Sequence, residues 1–370
     1  MTDENYMRQA LELAQKGEGY VEPNPMVGCV LVRENQIVGQ GYHTQYGHAH
    51  AEVEAIRSAN TDLTGAVCYV NLEPCSFYGK TPPCVEAILQ SGIRRVVIAM
   101  RDPNPRVNGR GIQILKESGI AVTEHILEEE ARYLNAPYLT LLHKSRPWIH
   151  AKWAMTLDGR LAARTQDSQW ISGEESRKVV HQLRSRMDAV LIGAGTARQD
   201  NPTLTVRLDK SEYCGNRSPC RVVLDSSGTL SPNSRLVQTA REIPVMIVTE
   251  TEDRPLIRQW EESGCEVLLL SRQDNFLCRL LEHFASKRWT HVLIEGGRQV
   301  FGLFFDLQCI DEVHAFIAPK LIGGESAVPV MGGKGLERMP LAASLESPVV
   351  QLTGQDVYVR GRVGMLPSNG

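Results

Sequence analysis

The sequence predicts an α/β protein of two domains. At 370 residues, the chain is too long for one ordinary hydrophobic core. Apolar strand-like runs alternate with amphipathic helical segments, which favours mostly parallel sheets covered by helices on both faces. The alternation breaks at Arg146-Pro147, because the residue before a proline is disfavoured in a helix. We therefore place the boundary there and expect domains over residues 1–145 and 146–370.

The elements of the N-terminal domain follow from periodicity and turn residues. A helix is predicted over residues 6–15, where Met7, Ala10, Leu11 and Ala14 recur at helical spacing. The runs "VGCVLV" and "QIVGQGYH" are joined by "RENQ", which indicates a β-hairpin. The segments that follow alternate as helix "AEVEAIRSA", strand "AVCYVNL", helix "CVEAILQSG", strand "RRVVIAM", helix "GIQILKESG" and strand "IAVTEHI".

The C-terminal domain repeats this alternation. It begins with strand "WIHAKWAM" and helix "SRKVVHQLRSR". Next come strands "AVLIGAG", "CRVVLDSS", "PVMIVTE" and "EVLLL", then helix "FLCRLLEHFAS". The last elements are strand "HVLIEGG", helix "QVFGLFFDL", strand "EVHAFIAP" and two closing strands near "VVQL" and "DVYVRGRV".

Composition limits the partners and the location. A net charge of −3 and 6% aromatic residues argue against a basic, base-stacking groove, and so against a nucleic-acid base deaminase. No segment approaches the ~20 apolar residues of a membrane helix, and the acidic, amphipathic start is unlike a signal peptide. Nine cysteines without such a signal favour reduced thiols. We expect a cytoplasmic protein without nucleic-acid or membrane partners, and the sequence leaves open whether it forms a homo-oligomer.

One histidine and two cysteines form a candidate zinc site. His50, Cys75 and Cys84 supply one nitrogen and two sulfur ligands, which leaves the fourth position of a catalytic zinc open. Zinc deaminases place a non-ligating glutamate two residues after the histidine and a proline before a cysteine, as Glu52 and Pro74-Cys75 do here. Zinc would lower the pKa of its water toward about 7, and Glu52 would pass the proton to the ring nitrogen and the departing amine.

Other interpretations of these residues remain open. His43 or His48 would complete a closed structural zinc site, and a zinc-stapled binding module would need no Glu52. The usual deaminase signature has two residues between its cysteines, whereas "SFYGKTPP" separates Cys75 from Cys84. We expect this longer loop to be shaped for the substrate.

Motifs along the whole chain resemble the bifunctional riboflavin-biosynthesis deaminase/reductase family. They are "PNPMVGCV", "GYHTQYGHAHAEVEAI", "LEPCSFYGKTPPC", "DPNPRVNGRGIQIL", "KWAMTLDGR", "SQWISG", "GAGTARQDNPTLTVR", "LDSSG", "IEGG" and "APKLIGG", in order. The resemblance implies a three-layer, cytidine-deaminase-like N-terminal domain and a dihydrofolate-reductase-like C-terminal domain. It also implies small-molecule substrates, the pyrimidine ribosyl phosphates. The first domain would deaminate 2,5-diamino-6-ribosylamino-4(3H)-pyrimidinone 5′-phosphate, and the second would use NADPH to reduce the ribose of the resulting aminouracil to ribitol.

The resemblance also assigns roles in the deaminase half. It implies zinc ligation by His50, Cys75 and Cys84 and proton transfer by Glu52. The substrate-binding positions that it implies are Asn24 and His43 at the pyrimidine and Lys80 at the phosphate. On sequence alone, Asn24 is equally well explained as a turn residue between Pro23 and Pro25. Members of the family commonly have a histidine where this chain has Phe77, so a polar contact to the ribose phosphate is missing or supplied elsewhere.

The reductase half carries weaker signals of its own. "GAGTARQD" contains G-x-G without the complete dinucleotide fingerprint, so it does not indicate a Rossmann domain. In "IEGGRQVFGLFF" a strand ends at Glu295 and a helix follows two glycines, which favours a phosphate cradle over a plain strand–helix turn. Arg184, Arg198 and Arg207 are candidate phosphate partners, although each alone is more typical of a surface charge.

The resemblance places the remaining reductase residues. Around the sugar phosphate it places Ser168, Arg184, Leu204, Arg207 and Glu295. Around NADPH it places Ala154, Trp170, Thr196, Asp200, Ser226, Gly297, Arg298, Gln299, Val300, Phe301, Gly302 and Leu303. Lys152 and Asp200 are our candidates for polarising the open-chain aldehyde and supplying a proton, although a structural role on a strand would also explain Lys152. Arg198 is our first candidate for reading the NADPH 2′-phosphate, and Arg164 the second.

Overall fold

The computed structural model describes residues 1–209, 212–213, 215, 217–271 and 275–364. The chain divides into two compact units, one of residues 1–145 and one that begins at Arg146. In the described part of the chain, no helix combines the length and the apolar character needed to cross a bilayer.

The first unit is built on one five-stranded sheet with the strand order β2-β1-β3-β4-β5. Its strands are β1 (Gly28–Arg33), β2 (Gln36–Tyr42), β3 (Val67–Leu72), β4 (Arg95–Met100) and β5 (Ala121–Thr123). Its helices are α1 (Asp3–Gln15), α2 (Ala51–Ser58), α3 (Cys84–Gln90), α4 (Arg110–Glu117), α5 (Glu128–Leu134) and α6 (Ala136–Lys144). Strands β3, β4 and β5 pair in parallel, whereas β1 is antiparallel to both β2 and β3.

Alternating side chains of this sheet bury two apolar layers. On one face, Leu31 and Val70 pack with residues of α2, α3 and α4, and on the other Val30 and Tyr69 pack with residues of α1 and α5. This is the three-layer arrangement that the sequence predicts. The predicted hairpin is also confirmed, with Glu34 and Asn35 at φ values of 51° and 61°, as a tight two-residue turn requires.

Helix α2 lies unusually close to the hairpin. A Cβ on Gly41 would lie 2.3 Å from the backbone nitrogen of Ala55, so only glycine fits this position. The close packing fixes the start of α2, where His50 is the N-cap residue.

The second unit contains a nine-stranded sheet with the strand order β11-β10-β9-β8-β12-β6-β13-β16-β15. These strands are β6 (Trp148–Thr156), β8 (Ala189–Gly193), β9 (Cys220–Leu224), β10 (Val245–Thr249), β11 (Glu266–Leu269), β12 (His291–Gly296), β13 (Glu312–Ala318), β15 (Leu345–Thr353) and β16 (Asp356–Val363). A separate antiparallel pair consists of β7 (Arg160–Ala162) and β14 (Val328–Pro329). Neighbours from β11 to β13 are parallel, and the closing hairpin of β15 and β16 is antiparallel.

Helices cover both faces of the large sheet. They are α7 (Glu174–Arg184), α8 (Ala194–Asp200), α9 (Arg235–Gln238), α10 (Arg254–Glu262), α11 (Phe276–Ser286) and α12 (Arg298–Asp306). Leu191 faces a core formed with α11 and α12, whereas its neighbour Val190 faces a core formed with α7, α9 and α10. The predicted mostly parallel sheet with two helical layers is therefore confirmed.

Three details of the element prediction are wrong. The strand predicted over "AVLIGAG" ends at Gly193, because α8 begins at the next residue with Gly193 as its N-cap. The strand predicted over "IAVTEHI" ends at Thr123. The helices α5, α8, α9 and α10 are missing from the predicted elements, although other helices of similar length are among them.

Candidate active sites

The three predicted zinc ligands come together in the first unit. His50 precedes α2, Cys84 is the first residue of α3, and Cys75 lies in the loop after β3. The Nδ1 atom of His50 lies 3.2 Å from the Sγ atom of Cys84 and 3.4 Å from that of Cys75. All three potential ligand atoms lie within 4.8 Å of one another. Their types and convergence fit a zinc ion with three protein ligands.

The two thiols are electrostatically unequal. A hydrogen bond from Cys84 and the neighbouring His50 lower the pKa of Cys75 to about 5, although burial opposes them. The pairing with Cys75 and burial raise the pKa of Cys84 instead. One thiol of the pair therefore gives up its proton readily, as a metal ligand must.

Glu52 lies in the first turn of α2 and is 3% exposed. Burial raises the pKa of its carboxyl group, and the nearby His50 opposes that rise. Its Oε2 atom has no hydrogen-bond partner among the described residues. A buried carboxyl oxygen without a partner is costly in free energy, which fits a group that exchanges a proton with a bound molecule.

His43 and Asn24 form a hydrogen-bonded pair beside the ligands. The ring of His43 lies edge-on to that of His50, with 5.3 Å between their centroids. Its Nδ1 atom donates to the carbonyl oxygen of Ala49 at 3.0 Å, so its Nε2 atom accepts from the amide nitrogen of Asn24 at 3.2 Å. Burial lowers the pKa of His43 to about 4, which keeps the ring neutral.

A closed four-ligand site is not formed. Among the described residues, the metal-ligating group that contains His50 has only two other members, Cys75 and Cys84. His43 is committed to its two hydrogen bonds, and His48 is exposed. The structure thus favours an open zinc position over the structural site that the sequence left open.

Two cations lie on aromatic rings near Cys75, Lys80 in the loop between Cys75 and Cys84 and Arg106 in the loop between β4 and α4. The Lys80 ammonium lies 3.9 Å from the centroid of Tyr46, and the Arg106 guanidinium lies 4.0 Å from that of Phe77. Neither cation pairs with a carboxylate among the described residues. Arg106 therefore stands beside the position where the family commonly has a histidine.

Glu73 is a supporting residue that the sequence analysis missed. Its buried carboxylate accepts backbone N–H groups from Gly109 at 2.9 Å and from Gly111 at 3.0 Å, with longer contacts from Asp102 and Ile112. It thereby holds the loop before α4 against the segment that carries Cys75. An acidic residue at the end of an apolar strand was the available signal, since a buried carboxylate needs donors.

Asn71 and Asn135 were missed as well. Both side chains bind the backbone of Met26: each amide donates to its carbonyl oxygen at 3.0 Å, and the Oδ1 atom of Asn135 accepts from its N–H at 2.8 Å. These contacts fix the turn that carries Asn24. No local pattern could reveal them, because Asn135 is 109 residues from its partner.

In the second unit, Lys152, Arg184 and Glu295 form a buried charged triad. Both oxygens of Glu295 accept from Arg184, with 2.9 Å from Nη2 to Oε2, and Lys152 Nζ lies 3.4 Å from the same Oε2. Burial raises the pKa of Glu295, but Arg184 and Lys152 outweigh it and bring the value to about 2. Burial lowers the pKa of Lys152. Arg184 is thus not the surface charge that its sequence context suggested.

The segment of residues 203–207 lies against α7. Arg184 donates to the carbonyl oxygen of Thr205 at 3.0 Å, and the Arg207 N–H donates to His181 Nδ1 at 3.3 Å. The guanidinium of Arg207 is exposed, Leu204 is buried and Ser168 is half-buried. Arg207 is therefore available to an anion beside the triad.

The predicted phosphate cradle lies at the start of α12. Gly297 is its N-cap, and a Cβ there would lie 3.0 Å from the Oγ1 atom of Thr196. The close approach joins the start of α8 to that of α12. The first N–H groups of an α-helix have no intrahelical partner, so the start of this nine-residue helix remains a candidate phosphate site.

The other predicted cofactor residues are spread along the same sheet. Ala154 is on β6, Ser226 follows β9, and Asp200 ends α8, where burial raises its pKa. Trp170 is exposed beneath the Arg177 guanidinium, and Arg198 is exposed on α8. Among the described residues, no hydrogen bond joins Lys152 to Asp200.

Each of the two units matches a known protein family. Residues 1–100 match the model of the cytidine and deoxycytidylate deaminase zinc-binding region, and residues 147–359 match that of the RibD C-terminal domain. The riboflavin biosynthesis protein RibD of Bacillus amyloliquefaciens is 40% identical over 369 residues, covering 100% of this chain and 97% of the relative. That of Escherichia coli K12 is 37% identical over 366 residues, covering 96% and 98%.

Solved structures agree over both units. A diaminohydroxyphosphoribosylaminopyrimidine deaminase/5-amino-6-(5-phosphoribosylamino)uracil reductase from Thermotoga maritima has a TM-score of 0.82 at 37% identity, with 98% of this chain and 99% of that chain covered. Acinetobacter baumannii RibD has a TM-score of 0.85 at 34% identity with the same coverage. The predicted fold, a cytidine-deaminase-like domain followed by a reductase domain, is confirmed. The chain belongs to the RibD family of bifunctional deaminase/reductases of riboflavin biosynthesis.

Proposed function

We propose that residues 1–145 form a zinc-dependent pyrimidine deaminase and residues 146–370 an NADPH-dependent reductase that acts on its product. The substrates are 2,5-diamino-6-ribosylamino-4(3H)-pyrimidinone 5′-phosphate and 5-amino-6-(5-phosphoribosylamino)uracil, the compounds for which the family's enzymes are named. The observation that carries the proposal is the convergence of His50, Cys75 and Cys84 beside the unpartnered carboxyl oxygen of Glu52.

In the deaminase unit, each residue has a defined task. His50, Cys75 and Cys84 hold the zinc ion, which makes hydroxide available near neutral pH by lowering the pKa of a water molecule. Glu52 would accept the water proton and deliver it to the ring nitrogen as hydroxide adds to C2. It would then take the proton of the new C2 hydroxyl group and give it to the amine, which leaves as ammonia while the C2–N bond breaks and the C2 carbonyl forms. Asn24 and His43 orient the pyrimidine, since the Asn24 side-chain amide donates to His43 and its Oδ1 atom accepts no hydrogen bond from the described residues.

Lys80 and Arg106 bind the ribose phosphate in this proposal. Both cations are exposed on the loops around Cys75 and lie on aromatic rings rather than on carboxylates. Arg106 on Phe77 would then supply the contact that a histidine commonly supplies in the family.

In the reductase unit, NADPH supplies the hydride and the protein positions the sugar. Because C1′ of the ribose carries the exocyclic amine, ring opening gives an imine rather than an aldehyde. Lys152, which lies beside Glu295, would as an ammonium donate a proton to the ring oxygen as the C1′–O bond breaks, and C1′ of the imine would accept the hydride. Ser168, Leu204 and Arg207 hold the sugar phosphate. Asp200, whose pKa is raised by burial, would supply the proton to the imine nitrogen. The cofactor lies along Ala154, Trp170, Thr196, Ser226 and the start of α12 from Gly297 to Leu303.

Incubation of the full chain with the diaminopyrimidine phosphate tests the proposal. We expect ammonia release without NADPH, and NADPH oxidation only after ammonia has been released. NADPH oxidation without deamination would contradict the order of the steps, and ammonia release from cytidine or single-stranded DNA at a comparable rate would favour a base deaminase.

Replacing one thiolate ligand should remove the deaminase zinc. We expect Cys75→Ala to lose zinc at this site, because two ligands cannot hold the ion as three do. Metal analysis after gel filtration, combined with the visible spectrum of cobalt-substituted protein, would detect the loss through the thiolate-to-cobalt band. Cys278→Ala, which removes an exposed thiol of the second unit, is the matched control. An undiminished thiolate band in Cys75→Ala would refute the ligand assignment.

NADPH should be strongly preferred over NADH. Arg198 is exposed on α8, two residues after Thr196, which contacts the start of α12, so its guanidinium is available to the 2′-phosphate. Arg198→Ala should weaken NADPH binding by about 10- to 150-fold, or ~1.5–3 kcal/mol, and leave NADH binding nearly unchanged. Titration of both cofactors into wild type, Arg198→Ala and Arg164→Ala would measure this. Equal weakening of both cofactors, or no change, would exclude Arg198 as the reader of the phosphate.

A further inference from the structure

A cluster of buried histidines lies outside both sites described above. His150 on β6, His291 on β12 and His314 on β13 project from the same face of the large sheet as Lys152 and Glu295. Glu312, at the start of β13, pairs with His150 in the strand register. The reductase mechanism uses none of these residues.

The side chains of His150, His314 and Glu312 approach one another at distances typical of the ligands of one metal ion. The Nδ1 atom of His150 lies 3.1 Å from the Nε2 atom of His314. The carboxylate oxygens of Glu312 lie 3.7 Å from the first atom and 3.6 Å from the second. Bonds of 2.0–2.1 Å in tetrahedral geometry place ligand atoms about 3.3 Å apart. The 3.7 Å distance is to Oε2 and the 3.6 Å distance to Oε1, and one ligand atom from each residue lies within 4.8 Å of the other two, which is close to that spacing.

Each of the three residues also makes a hydrogen bond that fixes the orientation of its side chain. His314 Nδ1 lies 2.7 Å from the Tyr358 hydroxyl, and His150 Nε2 lies 3.0 Å from His291 Nδ1. The Trp148 indole donates to Glu312 Oε2 at 3.3 Å. Metal-bound histidines commonly use the second ring nitrogen in this way, which fixes the ring and the tautomer.

We propose that His150, Glu312 and His314 bind a divalent transition-metal ion of the zinc and cobalt class. Two imidazoles and one carboxylate suit such ions and lack the sulfur ligands of the deaminase site. The histidines are buried, but 20% of the Glu312 side chain is exposed, which gives the ion a route in from solvent.

The charges around the proposed metal ion affect its affinity, and its position beside Lys152 indicates its role. Arg186, Arg360 and Lys152 act electrostatically on the cluster and oppose a cation, so we expect this site to bind its ion more weakly than the deaminase site does. The ion joins β6 to β13 two residues before Lys152, and His314 pairs with Lys152 in the register. It therefore stabilises the reductase unit beside its active site.

Metal stoichiometry of the full chain tests the site. With excess Zn²⁺ removed by gel filtration, we expect two ions per wild-type chain, one in the double variant His150→Gln/His314→Gln, and one in Cys75→Ala. His283→Gln, which changes a histidine of α11 outside the cluster, should keep two. Cobalt bound to Cys75→Ala should show visible d–d bands without a thiolate band.

A measurement on the unmodified chain keeps the test independent of whether the variants fold. All five tryptophans lie in the second unit, so tryptophan fluorescence follows its unfolding. Added Zn²⁺ should raise the midpoint of that transition in wild type and not in the double variant. One ion per wild-type chain and an unchanged midpoint would show that the cluster is only a hydrogen-bonded chain of histidines, and would overturn the proposal.

Discussion

Glu52→Gln should reduce deamination by ~10²–10⁴-fold, the usual contribution of a general acid–base group. The substitution keeps the size and burial of the side chain but removes the group that carries the proton. Because Oε2 has no hydrogen-bond partner among the described residues, the amide replaces no existing hydrogen bond at that atom. Ammonia release from the diaminopyrimidine phosphate measures the loss.

The controls separate chemistry from folding. NADPH oxidation with pre-deaminated substrate should persist in Glu52→Gln, since Lys152, Arg184 and Glu295 lie in the other unit. Zinc content should be retained, because Glu52 is not a ligand. Glu54→Gln is the matched variant, two residues further along α2, where it breaks a partly exposed ion pair with Arg57. Near wild-type deamination in Glu52→Gln, or equal loss of both activities in folded protein, would contradict the proposed role of Glu52. A zinc-stapled binding module would instead be favoured if the zinc-loaded wild type released no ammonia.

The deaminase ligands could be predicted from the sequence because local structure already places them. His50 precedes one helix and Cys84 begins another, and both helices pack on the same face of a sheet whose strands are recognisable as apolar runs. The ligand types then restrict the metal. The order and types of these residues along the chain were therefore enough to predict the three ligands.

The residues whose hydrogen bonds hold the loops around that site could not be predicted in the same way. Glu73 binds backbone N–H groups 36 and 38 residues away, and Asn135 binds Met26 over 109 residues. Such contacts depend on the order of strands in the sheet, which no local period encodes. The pairing of Lys152 with Glu295 has the same origin, since β6 and β12 become neighbours only when the chain returns across the sheet.

Hydropathy alone also misplaced Arg184. A lone arginine in an amphipathic helix is typical of a surface charge, yet here it lies at the buried end of α7 and meets Glu295. The resemblance placed it near the sugar phosphate, whereas the structure shows that its guanidinium is engaged by a carboxylate. Arg207, whose guanidinium is exposed, is therefore the better candidate for the phosphate itself.

Glu295→Gln should abolish most reductase activity and destabilise the second unit. Removing this charge leaves Arg184 and Lys152 buried without their counterion, and breaking a buried ion pair typically costs 3–5 kcal/mol of unfolding free energy. Burial already lowers the pKa of Lys152, and the loss of Glu295 would lower it further. Lys152 would then tend to lose its proton, which limits the destabilisation but removes the cation that donates a proton to the ring oxygen of the ribose.

The pH dependence distinguishes this effect from a general packing defect. In wild type, the pKa of Glu295 lies at about 2, below its ordinary value of 4.5. Its charge therefore contributes stability that is present above pH 4.5 and is lost as the pH falls toward 2, because over this window the unfolded chain binds a proton that the folded protein does not bind. The Gln variant has no such proton to bind, so its unfolding free energy should fall less steeply over this window.

Urea unfolding followed by tryptophan fluorescence reports on the second unit alone. The control variant Glu266→Gln, which breaks an exposed pair with Lys287, should change the free energy of unfolding by no more than about 1 kcal/mol. Equal stability of Glu295→Gln and wild type near neutral pH, with the same slope below pH 4.5, would mean that the triad does not hold Glu295 ionised in the folded protein.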